Sequence, residues 1–214
     1  MTSLLVVGAS SGIGLETVRR ALSVGHRVRA FARRADAIAI EDAGLEKIVG
    51  DARAPADIDK ALSGVEVVIE TLGVSVGPRE MLSGTDLFSK STRVLVDAMA
   101  RAGVKRLIAV TGLGAGDSRG HGGILYDNVM FPLVLKRVYE DKDIQEMIIR
   151  RSGLAWTIVR PGILTAGPAT GAYRVLVERE DWRGGAISRA DVADFLIRAA
   201  ESEAYLGKTP VLVG

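Results

Sequence analysis

The chain has 214 residues, 48% of them hydrophobic and 25% charged, which is enough for a real apolar core and unlike a disordered or fibrous chain. It has no cysteine and two histidines, His26 and His121, which excludes disulfides, Cys-ligated zinc, iron–sulfur clusters, a thiol nucleophile and a His-rich metal site. Lys and Arg number 28 against 26 Asp and Glu, so the net charge of +2 reflects a small imbalance and not a basic arm for nucleic acid.

The opening run, Met1 to Leu15, is uncharged but holds three glycines, and it falls short of the roughly 20 apolar residues of a membrane span. It also lacks a basic n-region. The expectation is a cytoplasmic protein that acts on a small molecule, without nucleic acid or membrane contact, as a monomer or a homodimer. No linker, repeat or low-complexity tract divides the sequence, so residues 1–214 read as one domain.

In chain order, Leu4 to Val7 reads as a strand, and Gly14 to Val24 as a helix with Leu15, Val18, Ala21 and Leu22 on one stripe. Arg27 to Ala32, Glu46 to Val49 and Val65 to Glu70 read as further strands. A helix follows over Asp86 to Ala102, with Leu87, Val94, Leu95, Ala98 and Met99 on its apolar face, and then a strand over Arg106 to Val110. A long helix is expected over Asp127 to Arg151, and Thr157 to Val159 as the next strand. Residues 161 to 187 are rich in Gly, Thr and Pro, with one apolar run at Tyr173 to Val177; a segment of that length without a helix is usually functional. Ile187-Ser188 signals the start of a last helix over Asp191 to Ala200, and Pro210 to Val213 is a final strand. Nearly continuous apolar strands alternating with helices predict an α/β fold: a Rossmann-type doubly wound parallel sheet of about seven strands, with helices on both faces.

Gly8-Ala-Ser10-Ser11-Gly12-Ile13-Gly14 lies between the first strand and the first helix. Glycines there let the backbone turn sharply and approach a pyrophosphate, and the helix N-terminus adds free N–H groups and a partial positive charge. The second strand runs into Arg33 and Arg34, with no acid before Asp36 to accept from a ribose 2′-hydroxyl. Two guanidinium forks suit a 2′-phosphate instead, so NADP(H) is expected in preference to NAD(H). Asp51, Thr71, Thr111 and Pro161 each fall where an apolar strand stops, which is where ligands bind in open α/β sheets.

With these motifs the chain resembles the atypical short-chain dehydrogenases/reductases, in the group of NmrA-like proteins and flavin (biliverdin-IXβ) reductases. The resemblance is carried by Gly8 to Gly14, Gly50-Asp51-Ala52, Glu70-Thr71-Leu72-Gly73, the stretch from Ser152-Gly153-Leu154 to Arg160-Pro161-Gly162, Thr170-Gly171-Ala172-Tyr173, and Ile187 to Ala193. It implies a nicotinamide dinucleotide across the carboxyl ends of the strands. Asp51 and Ala52 would flank the adenine, Thr71, Leu72 and Gly73 the adenosine and ribose, and Thr111, Pro161 and Gly162 the nicotinamide. It also implies that Lys142 and Ile163 stand where the vertebrate flavin reductases have pocket histidines, and Gly112 where they have a serine.

The chain has no Tyr-x-x-x-Lys of the carbonyl-reducing members: Tyr126 is followed four residues on by Met130, and Tyr139 by Lys142 after only three. Without a nearby cation Tyr126 is a poor acid, which disfavours ordinary alcohol dehydrogenation. Hydride transfer to a stacked flavin needs orientation more than acid–base help.

The glycine-rich loop from Thr111 to Tyr126 carries Asp117, Ser118, Arg119 and His121. It reads either as a substrate site or as a loop held by Asp117 and Arg119 with His121 exposed. Thr111, His121, Tyr126 and Lys142 are the catalytic candidates. Loops 111–126 and 161–187 form the substrate side, with Trp182 a border for a planar substrate. Trp156 is expected in the core, and Met130, Phe131 and Met147 in the helix interface.

The function this supports is NADPH-dependent reduction of a small planar acceptor, FMN or another flavin, a quinone or similar. The alternatives are a non-catalytic NADP(H) sensor of the NmrA type and a sugar-nucleotide epimerase-like enzyme.

Overall fold

Runs of Val, Leu and Ile have side chains alternating to the two faces of a strand, so a strand covered on both faces must be apolar at every position. In the computed structural model, which describes residues 1–74, 84–123 and 136–214, β1 (Ser3–Val7) does this. Leu4 and Val6 enter one apolar layer, and Leu5 and Val7 the other.

The further strands are β2 (Arg27–Ala32), β3 (Leu45–Val49), β4 (Val67–Glu70), β5 (Arg106–Val110), β6 (Ala155–Pro161), β7 (Ile163–Thr165), β8 (Arg174–Leu176), β9 (Ala186–Ser188) and β10 (Val211–Val213). The helices are α1 (Gly12–Ser23), α2 (Pro55–Ala61), α3 (Leu87–Ala102), α4 (Lys136–Arg151) and α5 (Arg189–Ala200). The main sheet has eight strands in the order β3-β2-β1-β4-β5-β6-β10-β8. Pairing is parallel from β3 through to β10, and β8 joins β10 antiparallel. The strand order reverses between β1 and β4, which opens a crevice at their carboxyl ends.

Helices α1 and α5 cover one face, where Val18, Ala21, Val192, Phe195 and Leu196 meet Leu4, Val6, Ile69, Ile108 and Val159. On the other face Ile58, Leu95, Met99 and Ile149 from α2, α3 and α4 meet Leu5, Val7, Phe31, Val68 and Leu107. Each such side chain, fully buried, stabilises the fold by roughly 1.5–3 kcal/mol before entropy is counted.

The doubly wound parallel sheet is present, with some differences from expectation. Eight strands replace about seven, because the run at Tyr173 contributes β8, which pairs with the last strand; residues 161–187 also hold β7 and β9, a separate parallel pair. Helix α2 was not anticipated, although Pro55 in its first turn and Asp57 behind it are N-terminal signals. Helix α1 starts at Gly12, not Gly14, and α5 at Arg189, with Ser188 capping the N–H of Asp191. Of the long helix expected from Asp127, the part to residue 135 lies outside the described residues, as do Tyr126, Met130 and Phe131. Met147 is 47% exposed on α4 and is not in the helix interface; it is turned away from the sheet by a helix whose inward positions are taken by Gln145, Glu146 and Ile149.

The turn from β1 to α1 is fixed by two close approaches. Gly8 has φ +90°, and a Cβ on it would stand 2.9 Å from the Thr71 carbonyl oxygen; a Cβ on Gly14 would overlap the Gly8 carbonyl oxygen. Gly12 has φ +58° with open space around it. Gly12→Ala should therefore cost only about 1 kcal/mol, for the left-handed conformation. Gly14→Ala should cost about 2–3 kcal/mol, because backbone must move. Urea denaturation of the two variants checks the order, and a Gly14→Ala protein as stable as Gly12→Ala would contradict it.

Candidate active site

Strand ends of like parity build the site. Val68, Ala109 and Ile158 face α2, α3 and α4, so two residues later Glu70, Thr111 and Arg160 face the same way at the carboxyl ends of β4, β5 and β6. All three are buried polar residues. Polar groups buried together must satisfy one another, and α4 answers with Asp141, Lys142, Gln145 and Glu146, likewise buried. Their spacing of one, four and five residues sets them on one helical face.

Glu146 is the hub. It accepts from Arg160 Nε at 2.9 Å and Nη2 at 2.5 Å, and from the Thr111 hydroxyl at 2.9 Å. Arg160 also donates to Asp117 at 2.6 Å, and Arg150 stands 3.6 Å from Glu146 and 3.7 Å from Asp117. Burial pushes the Asp117 carboxyl up, but the hydrogen bond and charge of Arg160 and the charge of Arg150 more than offset it, leaving it below its ordinary value.

Lys142 donates to the Thr111 carbonyl oxygen at 2.8 Å, and its ammonium lies 4.1 Å over the Phe88 ring. Burial pulls it down to about 8, against the opposing charges of Glu70, Glu146 and Asp141. Glu70 accepts from the hydroxyls of Thr92, at 2.8 and 2.9 Å, and Ser91, and from Gln145 Nε2 at 3.2 Å. Burial pushes it up to about 7, although those hydrogen bonds and the charge of Lys142 oppose the shift. The structure thus brings Thr111 and Lys142 together. It also brings Tyr139 to the same corner, since a Cβ on Gly112 would be 2.5 Å from the Tyr139 hydroxyl. The three-residue spacing of Tyr139 and Lys142, set aside in the sequence, places both on one side of α4.

His121 stands apart from Lys142, edge-on to the buried Trp182 at a centroid distance of 5.6 Å. Trp182 packs with Leu113, Leu176, Val211 and Val213 in a small buried cluster. Asp117 and Arg119 do not hold the loop by pairing with each other. Asp117 binds Arg160, while Arg119 binds Asp143 on α4. Trp156 is partly buried against the core.

At the crevice, Thr71 donates from its hydroxyl to the Val7 carbonyl at 2.9 Å and Leu72 and Gly73 follow at the end of β4. The Asp51 carboxylate is held by Arg53 and lies below its ordinary value, through that side-chain hydrogen bond first, with Arg33 contributing charge. Ala52 is buried beside it. Pro161 is buried, its carbonyl accepting from Leu113 N–H, and Gly162 is backed by Gly185, whose carbonyl a Cβ would overlap.

The helix N-termini differ in a way that bears on a dinucleotide. The first turn of α3 is capped by Asp141, which accepts from Phe88 and Ser89 N–H, and α5 is capped by Ser188. At α1, Ser11 makes no side-chain cap and the first turn holds no acid, while Ser11 and Gly12 are exposed and Ser10 and Ile13 partly so. A bare, glycine-lined helix end at the crevice fits a pyrophosphate. Arg33 and Arg34 are exposed at the end of β2, with no ion pair among the described residues.

Residues 8–203 match the NAD(P)H-binding family. The chain belongs to that family. An NAD(P)H-binding protein of this sequence is 31% identical over 206 residues to YhfK of Bacillus subtilis (strain 168), an uncharacterized sugar epimerase, covering 94% of this chain and 88% of that one. It is 28% identical to the NAD(P)H azoreductase of Xenophilus azovorans over 74% of this chain and 47% of that protein. Its structure is similar to that of ChuY, an anaerobillin reductase of Escherichia coli O157:H7, with a TM-score of 0.78, 28% identity, and 99% and 97% of the two chains covered. This NAD(P)H-binding chain has no helix, among its described residues, long and apolar enough to cross a membrane.

Gln145 and Glu146 carry no signal in the sequence, and Arg160 stands there only within a family motif, as does the buried Glu70. Its titration gives a test. A carboxyl titrating near 7 in the fold and near its ordinary value unfolded contributes stability at low pH that is lost as pH rises through 7. Between pH 5 and 7.5 the protein should lose about 2 kcal/mol from this group, and Glu70→Gln should not. Denaturant titrations at the two pH values measure it, and equal losses in both proteins would contradict the assignment.

Proposed function

We propose that the protein is an NADPH-dependent reductase that passes hydride to a small planar acceptor, a flavin, a quinone or a similar compound. The bare N-terminus of α1 behind the Gly8 and Gly14 turn carries this reading, because it offers N–H groups and no competing carboxylate where the strand order reverses. Gly8, Ser10, Ser11, Gly12, Ile13 and Gly14 would hold the pyrophosphate and Arg33 and Arg34 the 2′-phosphate. Asp51 and Ala52 would flank the adenine, Thr71 to Gly73 the ribose, and Thr111, Pro161 and Gly162 the nicotinamide. The reductase names borne by ChuY and the azoreductase support the reaction class.

Bound NADPH supplies the hydride; the residues orient and bear charge. The Thr111 hydroxyl is committed to Glu146, so it positions the end of β5 and does not move a proton. Lys142, buried and held by the Thr111 carbonyl, places a cation where electron density builds on a reduced acceptor. Tyr139, beside Gly112, is a better-placed proton donor than His121. The epimerase name of YhfK finds less support, since the residue four before Lys142 is the buried Val138 and not a tyrosine.

NADPH oxidation should be saturable across FMN, riboflavin, FAD and simple quinones and should exceed that with NADH. Replacing both Arg33 and Arg34 by alanine should lower the NADPH to NADH affinity ratio about tenfold or more, the size of a lost charge-assisted contact. Tight NADPH binding without turnover of any acceptor would move the reading to a redox sensor, and an unchanged ratio would refute the 2′-phosphate assignment.

A further inference from the structure

Among the described residues, three buried polar atoms in one cluster lack a hydrogen-bond partner: Arg160 Nη1, Trp182 Nε1 and His121 Nδ1. The Arg160 guanidinium lies 5.0 Å over the Trp182 ring, and the His121 ring meets the same indole edge-on at 5.6 Å. Buried polar groups are nearly always paired, so three orphans side by side call for a partner from outside the chain. The cluster lies between the two substrate-side segments, next to Pro161 and Gly162.

The chemistry of the orphans limits what that partner is. An indole N–H and a guanidinium N–H only donate, so the partner must present acceptor lone pairs to both. The remaining edges of Arg160 are spent on Glu146 and Asp117, and Arg150 flanks the same two carboxylates. Two arginines against two acids leave no surplus charge to favour an anion. A carboxylate or phosphate would come out of water uncompensated, whereas a neutral carbonyl oxygen would not.

We propose that Trp182 Nε1 and Arg160 Nη1 form a subsite for a ring carbonyl oxygen of a neutral planar acceptor, a quinone or the pyrimidine ring of a flavin. This rests on the reductase reading above and adds which end of the acceptor is gripped, and by what. The subsite is thinly covered: Gly116, Asp117, Arg183 and Gly184 beside it are exposed. A Cβ on Gly184 would overlap the Gly122 carbonyl oxygen, so the two segments that carry Trp182 and His121 meet backbone to backbone.

The test uses menadione and riboflavin as probes. In Trp182→Phe, which keeps the ring and removes the donor, KM for menadione should rise about five- to tenfold while the Kd for NADPH stays at the wild-type value, the loss of one neutral hydrogen bond. An unchanged KM in a folded variant overturns the subsite and leaves the reductase reading standing. Wild-type protein that oxidises NADPH with neither probe overturns the reductase reading and the subsite together. A second measurement covers a variant that does not fold. The chain has two tryptophans, so the wild-type indole N–H resonances of Trp156 and Trp182 are easily told apart by one substitution of Trp156. Adding menadione to the NADP⁺-loaded protein should shift the Trp182 resonance and leave that of Trp156 in place, and an unmoved Trp182 resonance overturns the proposal.

Discussion

The ion pair of Arg160 with Glu146 ties the site together. Both residues are buried, and two hydrogen bonds at 2.5 and 2.9 Å join β6 to α4. Glu146 extends the tie to β5 through Thr111, and Arg160 extends it to the following loop through Asp117. A buried pair of this kind is no guarantee of stability, but removing one partner strands the other charge and typically costs about 3–5 kcal/mol. The pair therefore sets where two strand ends, one loop and one helix stand relative to each other, and with them the floor of the crevice.

The two faces of the sheet have different tasks. Under α1 and α5 the layer is apolar to the strand ends, which leaves the N-terminus of α1 to meet a dinucleotide with its own backbone. Under α3 and α4 the apolar layer stops short, and Glu70, Lys142, Gln145, Glu146 and Arg160 replace it. Low polarity raises the stakes of every charge there, as the displaced titrations of Glu70 and Lys142 show. In the proposed function the acceptor would meet this polar layer, and the cofactor the bare helix end.

Much of the fold was legible because burial on both faces forces nearly continuous apolar strands such as β1, β4 and β5, and seven of the eight main-sheet strands stand out in the sequence, although the edge strand β3 carries Glu46 and Lys47. The eighth, Arg174–Leu176, is short and half-exposed, so only its tertiary partner β10 makes it a strand. The turn from β1 to α1 was legible too, since glycine is the residue its geometry demands at Gly8 and Gly14. Less of the polar layer was readable. Glu70 and Arg160 look like solvated strand ends until the parity of Val68 and Ile158 is followed two residues on. Lys142 stood out only through the family resemblance, and the face it shares with Gln145 and Glu146 shows it to be inside. Trp182 seemed a lid residue from its charged neighbours, but Leu113, Leu176 and Val211 draw it in.

The central claim, that a dinucleotide lies across the carboxyl ends of the strands with its pyrophosphate on the open end of α1, is tested most directly by titrating NADPH into isotopically labelled protein. The backbone amide resonances of Gly12, Ile13 and Gly14 should move together with those at Arg33 and Thr71, and at saturating cofactor they should be the largest shifts in the spectrum. NADPH that binds while the amides of Gly12 to Gly14 stay in place would contradict the account.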